Sequence, residues 1–119
     1  MNIISRCKSI LFYTFGFFME KDLRYVELFE LYQGLLTERQ RELFLSHYYY
    51  DLSLSEIAVP EGNTRQNVYA MVKKVKSKLD EYESILKLYE KNLSFLSLAN
   101  EIKGKDATTA ERIMDIIGK

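Results

Sequence analysis

Tryptophan is absent from this 119-residue chain, and cysteine, histidine and proline occur once each, as Cys7, His47 and Pro60. A lone cysteine rules out a disulfide within the chain, which fits a reducing cytoplasm. One cysteine with one histidine cannot assemble a Cys/His metal cage. The glycines fall into none of the phosphate-cradling patterns G-x-x-x-x-G-K-[ST] or G-x-G-x-x-G, and the nucleophile elbow G-x-S-x-G is missing as well. Nucleotide-binding and hydrolase readings therefore have no footing. No enzyme, no cofactor, no metal and no small-molecule substrate is expected. An excess of charge is lacking too: 17 basic residues balance 17 acidic ones. Any attraction to nucleic acid must then come from a local patch. The apolar run Ile10 to Met19 is shorter than the roughly 20 residues that a transmembrane helix needs.

What the chain does have is one long uninterrupted stretch, Thr64 to Asn100. Between Asn63 and Lys103 there is neither glycine nor proline. Apolar residues recur at Val68, Val72, Val75, Leu79, Tyr82, Leu86, Tyr89, Leu93 and Leu96, in alternating steps of 4 and 3. That is the spacing of a helical seam which meets another helix. At ~1.5 Å per residue an unbroken helix of this length would reach ~55 Å, and a kink near Ser84 would shorten it. The first half carries Arg65, Lys73, Lys74, Lys76 and Lys78, with Asp80 its only acid through position 80. One end is basic and the other apolar. The first suits phosphate. The second, from Leu79 through Tyr82, Leu86, Tyr89 and Leu93 to Leu96, suits a dimer or docking surface, with folding back onto the chain's own helices as the alternative.

The 47% apolar fraction is that of a globular chain, and the length suits one small domain with or without an arm. Residues 1–18 stand apart. Arg6 and Lys8 precede the apolar run, but no small-x-small cleavage site follows before Glu20-Lys21-Asp22. Three readings are open: translation starting at Met19, a hydrophobic arm packed on the domain, or membrane targeting.

Residues 20–33 read as a helix capped by Asp22, with Leu23, Val26, Phe29, Leu31 and Tyr32 on its apolar side and Gly34 ending it in the left-handed conformation. Thr37-Glu38-Arg39-Gln40 is a capping box, in which Thr and Gln each satisfy an orphan backbone N–H. It opens a helix from Glu38 to about Tyr50, with Leu43, Phe44, His47 and Tyr48 along one side. His47 reads as a switch or ligand, or more simply as a residue at the core edge. Tyr48, Tyr49 and Tyr50 could stack on bases. Consecutive positions point in different directions on a helix, so at least one belongs to the core.

Ser53-Leu54-Ser55-Glu56 is a second capping box, opening a short helix from Leu54 to Val59 with Leu54, Ile57 and Ala58 inward. Pro60 stops it and is expected to hold Val59 extended. Gly62 supplies a turn and Thr64 caps the long helix. A short helix, a glycine turn and a second helix with a polar start make a helix-turn-helix. Val68 and Val72 must face the core, so Arg65, Gln66 and Tyr69 face base edges, with Thr64 in the same first turn. Lys73, Lys74 and Lys76 become phosphate contacts. Asp106 or Thr108, with Thr108-x-x-Glu111 as a capping box, starts a last helix whose Ile113, Met114, Ile116 and Ile117 need cover. Gly118 closes it.

The order Leu35-Leu36-Thr37-Glu38-Arg39-Gln40-Arg41, Leu54-Ser55-Glu56-Ile57-Ala58, then Thr64-Arg65-Gln66 with Val68-Tyr69, resembles the small bacterial YlxM family. Leu28 to Gln33 and Tyr82 to Lys91 extend the likeness, which covers residues 19–91. The resemblance implies an all-α fold: a helix-turn-helix core (winged-helix-like, or like region 4 of sigma factors) with a long C-terminal helix. It also implies a regulatory role linked to components of the signal recognition particle, whereas the expectations of DNA or RNA binding, of a homodimer and of the cytoplasm come from the basic first half, the apolar seam and the lone cysteine. Read along the chain, the organisation is an extension over 1–18, the DNA-binding-like domain over 19–80, an interaction segment over 81–103 and a terminal helix over 104–119, of which the extension and the terminal helix lie outside the likeness. Two departures stand out. The family places an apolar residue where Glu61 or Asn63 stands, and alanine where Asn67 stands. A buried polar side chain left unpaired costs on the order of 1–3 kcal/mol, so either these residues reach solvent or the motif is loose.

Overall fold

The computed structural model describes residues 20–118, so the readings of residues 1–18 lie outside it. The described chain is all-α, with no strand and hence no wing among these residues. Six helices follow in order: α1 (Glu20–Tyr32), α2 (Glu38–Phe44), α3 (Leu54–Ala58), α4 (Arg65–Leu86), α5 (Leu88–Lys103) and α6 (Ala107–Ile117). They fall into two compact units, one of Leu28–Ile85 and one of the described residues through Glu27 together with those from Leu86.

The helix starts follow the capping chemistry in the sequence. Thr37 Oγ1 accepts from the Gln40 N–H at 3.2 Å while Gln40 Oε1 accepts from the Thr37 N–H at 3.0 Å. Ser53 and Glu56 repeat the exchange at 3.0 and 3.1 Å. Two other local expectations are corrected. Asp22 lies inside α1 and does not cap it. Gly34 does not take up a left-handed conformation: α1 tightens into a single 3-10 turn, Gln33–Leu35, and the chain leaves it at an extended Leu36.

α2 runs on into a π-helical turn, Leu45–Tyr49, and Asp51 with φ 59° ends it. The wider turn sends the three tyrosines to three fates. Tyr48 stacks on Phe44 with centroids 4.4 Å apart. Tyr49 leans on Phe29 and Phe44 and donates its hydroxyl hydrogen to Glu30. Tyr50 remains 69% exposed. His47 is a core-edge residue whose Nδ1–H donates to the Leu52 carbonyl at 2.9 Å.

The core of the first unit has two parts. Leu43, Ile57, Ala58, Val68 and Val72 form one cluster, with Tyr48, Leu52, Leu54 and Met71 packed against it. Phe29 and Phe44 stack at 4.3 Å, and Leu28, Tyr32, Leu36, Val75 and Leu79 are buried as well. The predicted seam is thus real over Val68, Val72, Val75 and Leu79. Beyond Leu79 it slips. The next buried side chain is Glu83, 8% exposed, and its carboxylate accepts from the Tyr32 hydroxyl at 2.6 Å. Tyr82 is half-buried and donates to the Leu35 carbonyl at 3.1 Å.

The long helix is not continuous. Lys87 takes a left-handed conformation, φ 55° and ψ 32°, and separates α4 from α5. The break falls three residues beyond Ser84. Lys87 reaches forward to Glu90 at 3.6 Å. In the second unit α5 packs along α6, and the short connection through Gly104 makes them antiparallel neighbours. Asp106, not Thr108, caps α6: its carboxylate accepts from the Thr109 N–H at 3.1 Å and hydroxyl at 2.5 Å. Ala99 and Ala110 are buried in the two helices, whereas Ile116 stays 71% exposed.

Removing one partner of a buried hydrogen bond costs about 1–3 kcal/mol. Tyr32→Phe strips Glu83 of that donor while keeping the buried ring. We expect the urea unfolding midpoint to fall by a corresponding amount at constant m; an unchanged midpoint would show that the bond adds no net stability.

Candidate nucleic-acid interface

The helix-turn-helix is built from α3, the turn and the start of α4. α3 ends at Ala58, and Val59 keeps helical angles (φ −58°, ψ −52°), so the expectation of an extended residue before Pro60 is corrected. Pro60 follows within a 3-10 turn, Val59–Glu61, that continues directly from α3. Gly62, at φ 66°, then takes the left-handed position. The Gly62 N–H donates to Val59 and the Asn63 N–H to Ala58, at 3.1 and 3.0 Å. This pair of bonds is a Schellman motif, which glycine permits without steric cost.

Thr64 caps α4, its Oγ1 accepting from the Asn67 N–H at 3.1 Å. The two family departures resolve here. Asn63 Oδ1 accepts from the Thr64 N–H at 2.8 Å and from Asn67 Nδ2 at 2.7 Å, so the asparagines brace the helix start. Asn67 is otherwise exposed. Glu61 points outward and accepts from Arg39 at 2.5 Å, which pushes the guanidinium above its ordinary value. An exposed pair of this kind contributes about 0–1 kcal/mol. The polar residues reach solvent or each other, and the motif is not loosened.

Val68 and Val72 are buried, so the opposite side of α4 faces water. Arg65, Gln66, Lys73 and Lys74 are exposed and Tyr69 is 53% exposed. Among the described residues, no ion pair involves Arg65, Lys73 or Lys74. Lys76 is half-buried, with its ammonium 5.6 Å from the centre of the Tyr48 ring. At about 100° per residue, Arg65, Tyr69, Lys73 and Lys76 share a row about 80° wide with Gln66 at its edge, while Lys74 lies about 100° beyond Lys73. The structure therefore gathers most of the expected contacts and leaves Lys74 aside. Thr64 is present, but its oxygen serves as the cap. Lys78 is drawn to Glu81 at 3.6 Å. The Tyr48 ring beneath Lys76 carries no signal in the sequence, because 28 positions separate the two.

The expected partner surface divides. Leu79 is fully buried within the chain and offers no area to a partner, a correction that follows from its place in the core seam. Tyr82, Tyr89 and Leu96 are half-buried. Leu86 and Leu93 are exposed, and with them Leu88, Phe95 and Leu98, which sequence periodicity placed off the seam. Among the described residues no group of His, Cys, Asp or Glu gathers as a metal site, and no helix is long and apolar enough to cross a membrane.

A family model described as "Putative helix-turn-helix protein, YlxM / p13 like" matches residues 19–117. The UPF0122 protein BH2485 of Halalkalibacterium halodurans is 41% identical over 96 residues, covering 78% of this chain and 88% of its own. The UPF0122 protein ABC2295 of Shouchella clausii is 43% identical over 86 residues, 71% of this chain and 78% of its own. A UPF0122 protein of Bacillus thuringiensis is 44% identical over 73 residues, 61% and 66% of the two chains.

The caps of α3 and α6 titrate in acid. Hydrogen bonds from the Ser53 N–H and hydroxyl hold the Glu56 carboxyl below its ordinary value, and those from the Thr109 hydroxyl and N–H do the same for Asp106. A carboxyl lowered on folding contributes stability above its unfolded value, and that contribution is lost as pH falls through the folded value. Glu56→Gln keeps an acceptor for Ser53 that does not titrate. We expect a shallower loss of stability than in the wild type when urea unfolding is followed from about pH 6 to about pH 3.

Proposed function

The chain belongs to the UPF0122 family of YlxM / p13-like helix-turn-helix proteins, and from that premise we propose that it is a regulatory protein whose α4 meets the phosphates of a nucleic acid. The family is one of helix-turn-helix proteins and not of enzymes. One observation carries the reading: Arg65 and Lys73 are exposed and without ion pairs among the described residues, on a helix whose other face is anchored in the core. Arg65, Gln66 and Tyr69 sit where a recognition helix presents its first turns to base edges, and Lys73 and Lys76 continue the row along the backbone. Lys74 adds a phosphate contact at the margin. DNA and RNA both fit this chemistry. The resemblance to the YlxM proteins extends the proposal to the signal recognition particle pathway in the cytoplasm.

A second reading rests on a different observation. Leu86, Leu88, Leu93, Phe95 and Leu98 are each between 40% and 51% exposed, within 13 consecutive residues. Such a concentration suits an interaction surface, with a second copy of the chain as its partner. Both roles fit one protein, because dimeric helix-turn-helix proteins place two recognition helices on one duplex.

Four neutralised phosphates predict that log affinity falls with log salt at a slope of about −3.6 on duplex DNA. Fluorescence anisotropy across a NaCl series, with labelled duplex DNA and RNA, measures it. Arg65→Ala and Lys73→Ala should each reduce the slope by about 0.9 without unfolding the protein. Affinity that does not respond to salt, or no binding to either polymer, would remove the first reading. For the second, sedimentation of the Leu86→Lys/Leu93→Lys variant should show a monomer where the wild type is dimeric, and unchanged profiles would count against it.

A further inference from the structure

The unit Leu28–Ile85 spends most of its aromatic rings on itself. Phe29, Phe44, Tyr48 and Tyr49 pack ring against ring, and Tyr32 leans on Tyr82. Among the described residues, Tyr50 and Tyr69 have no such ring partner. Tyr50 closes the π-helical turn after α2. Tyr69 stands in the middle of the outward row on α4, 53% exposed, with no hydrogen bond from its side chain among the described residues. The fold does not call for a ring there. Tyrosine is a poorer helix former than lysine, glutamate or alanine, and the packed edge of α4 is the one through Val68 and Val72. Four residues of helix rise about 6 Å, so Arg65 and Lys73 lie one turn to either side of the ring, and Lys76 continues the line. An aromatic ring separates two forms of nucleic acid. In a duplex the bases cover one another and show their edges, which donors and acceptors such as Arg, Asn and Gln read. Tyrosine brings one hydroxyl to that code. Its face needs the face of a base, and an unpaired base offers one.

We propose that Tyr69 is a stacking platform for an unpaired base, so that the row on α4 takes a single strand, RNA or DNA, in preference to a duplex. Arg65 and Lys73 meet the phosphates on either side of that base, and the ring between them takes its face. The assignment rests on the proposed contact between α4 and phosphates, and adds to it the form of the polymer.

Fluorescein-labelled oligo(U), oligo(dT) and an oligo(dA)·oligo(dT) duplex of equal length, titrated with the full-length protein and followed by anisotropy, test this. At least one single strand, oligo(U) for RNA or oligo(dT) for DNA, should bind more tightly than the duplex. Tyr69→Leu keeps an apolar side chain at an exposed helical position and should weaken single-strand binding roughly 5- to 100-fold, with duplex affinity unchanged. The salt slope on the single strand should stay at about −2.8 for four phosphates in this variant, because no charge is lost. Tyr69→Phe should bind as the wild type does. The chain has no tryptophan, so Tyr69→Trp supplies a single indole whose emission should be quenched when a base stacks on it. Tighter binding to the duplex than to either single strand, or single-strand affinity indifferent to Tyr69→Leu, would overturn the platform and leave the phosphate contact standing. Failure of all three polymers to bind would overturn both.

Discussion

The rotation of α4 about its own axis decides what the helix-turn-helix can do, and two valines set it. Val68 and Val72 are buried in the cluster of Leu43, Ile57 and Ala58. With the helix held by that edge, Arg65, Gln66, Tyr69 and Lys73 have nowhere to point but outward. Burying a valine side chain is worth about 1.5–3 kcal/mol, well above the few tenths that a surface charge pair contributes. Apolar packing therefore aims the charges, and the charges have little say in the fold.

The turn before α4 shows how polar residues serve the same end. Asn63 and Asn67 stand where the family resemblance implies small or apolar side chains, yet they share one carboxamide oxygen and support the Thr64 cap. Glu61 finds Arg39 on α2. Each substitution lies at the solvent edge of the motif, where a hydrogen bond replaces lost packing at little net cost. The core of the motif, from Leu43 through Ile57 to Val72, keeps its apolar character.

Beyond Leu79 the logic changes. The step of 4 continues to Glu83, which is carried into the interior and met by Tyr32. One helical position later than the alternating pattern places it, the buried stripe has moved off Tyr82. Four residues beyond Glu83, the helix itself stops. Side chains that periodicity placed on one seam then part company: Leu79 is sealed in the core, and Leu86 and Leu93 lie open to solvent.

Much of this was legible in the residue order. The capping boxes at Thr37 and Ser53, the Gly62 turn, the Thr64 cap and the inward face of α4 as far as Leu79 all depend on neighbours within a few positions, and short-range hydrogen bonding and periodicity are what a sequence displays. Contacts between distant positions carry no such mark. Tyr32 finding Glu83, the Tyr48 ring beneath Lys76 and the left-handed turn at Lys87 join or separate residues that no local rule connects. Local sequence determined the helix-turn-helix elements, their caps at Thr37, Ser53 and Thr64, and the basic row. Which apolar residues of the long stretch remain in water was decided by tertiary packing, because a buried bond or an apolar contact outweighs the modest preference of any one residue for its own conformation.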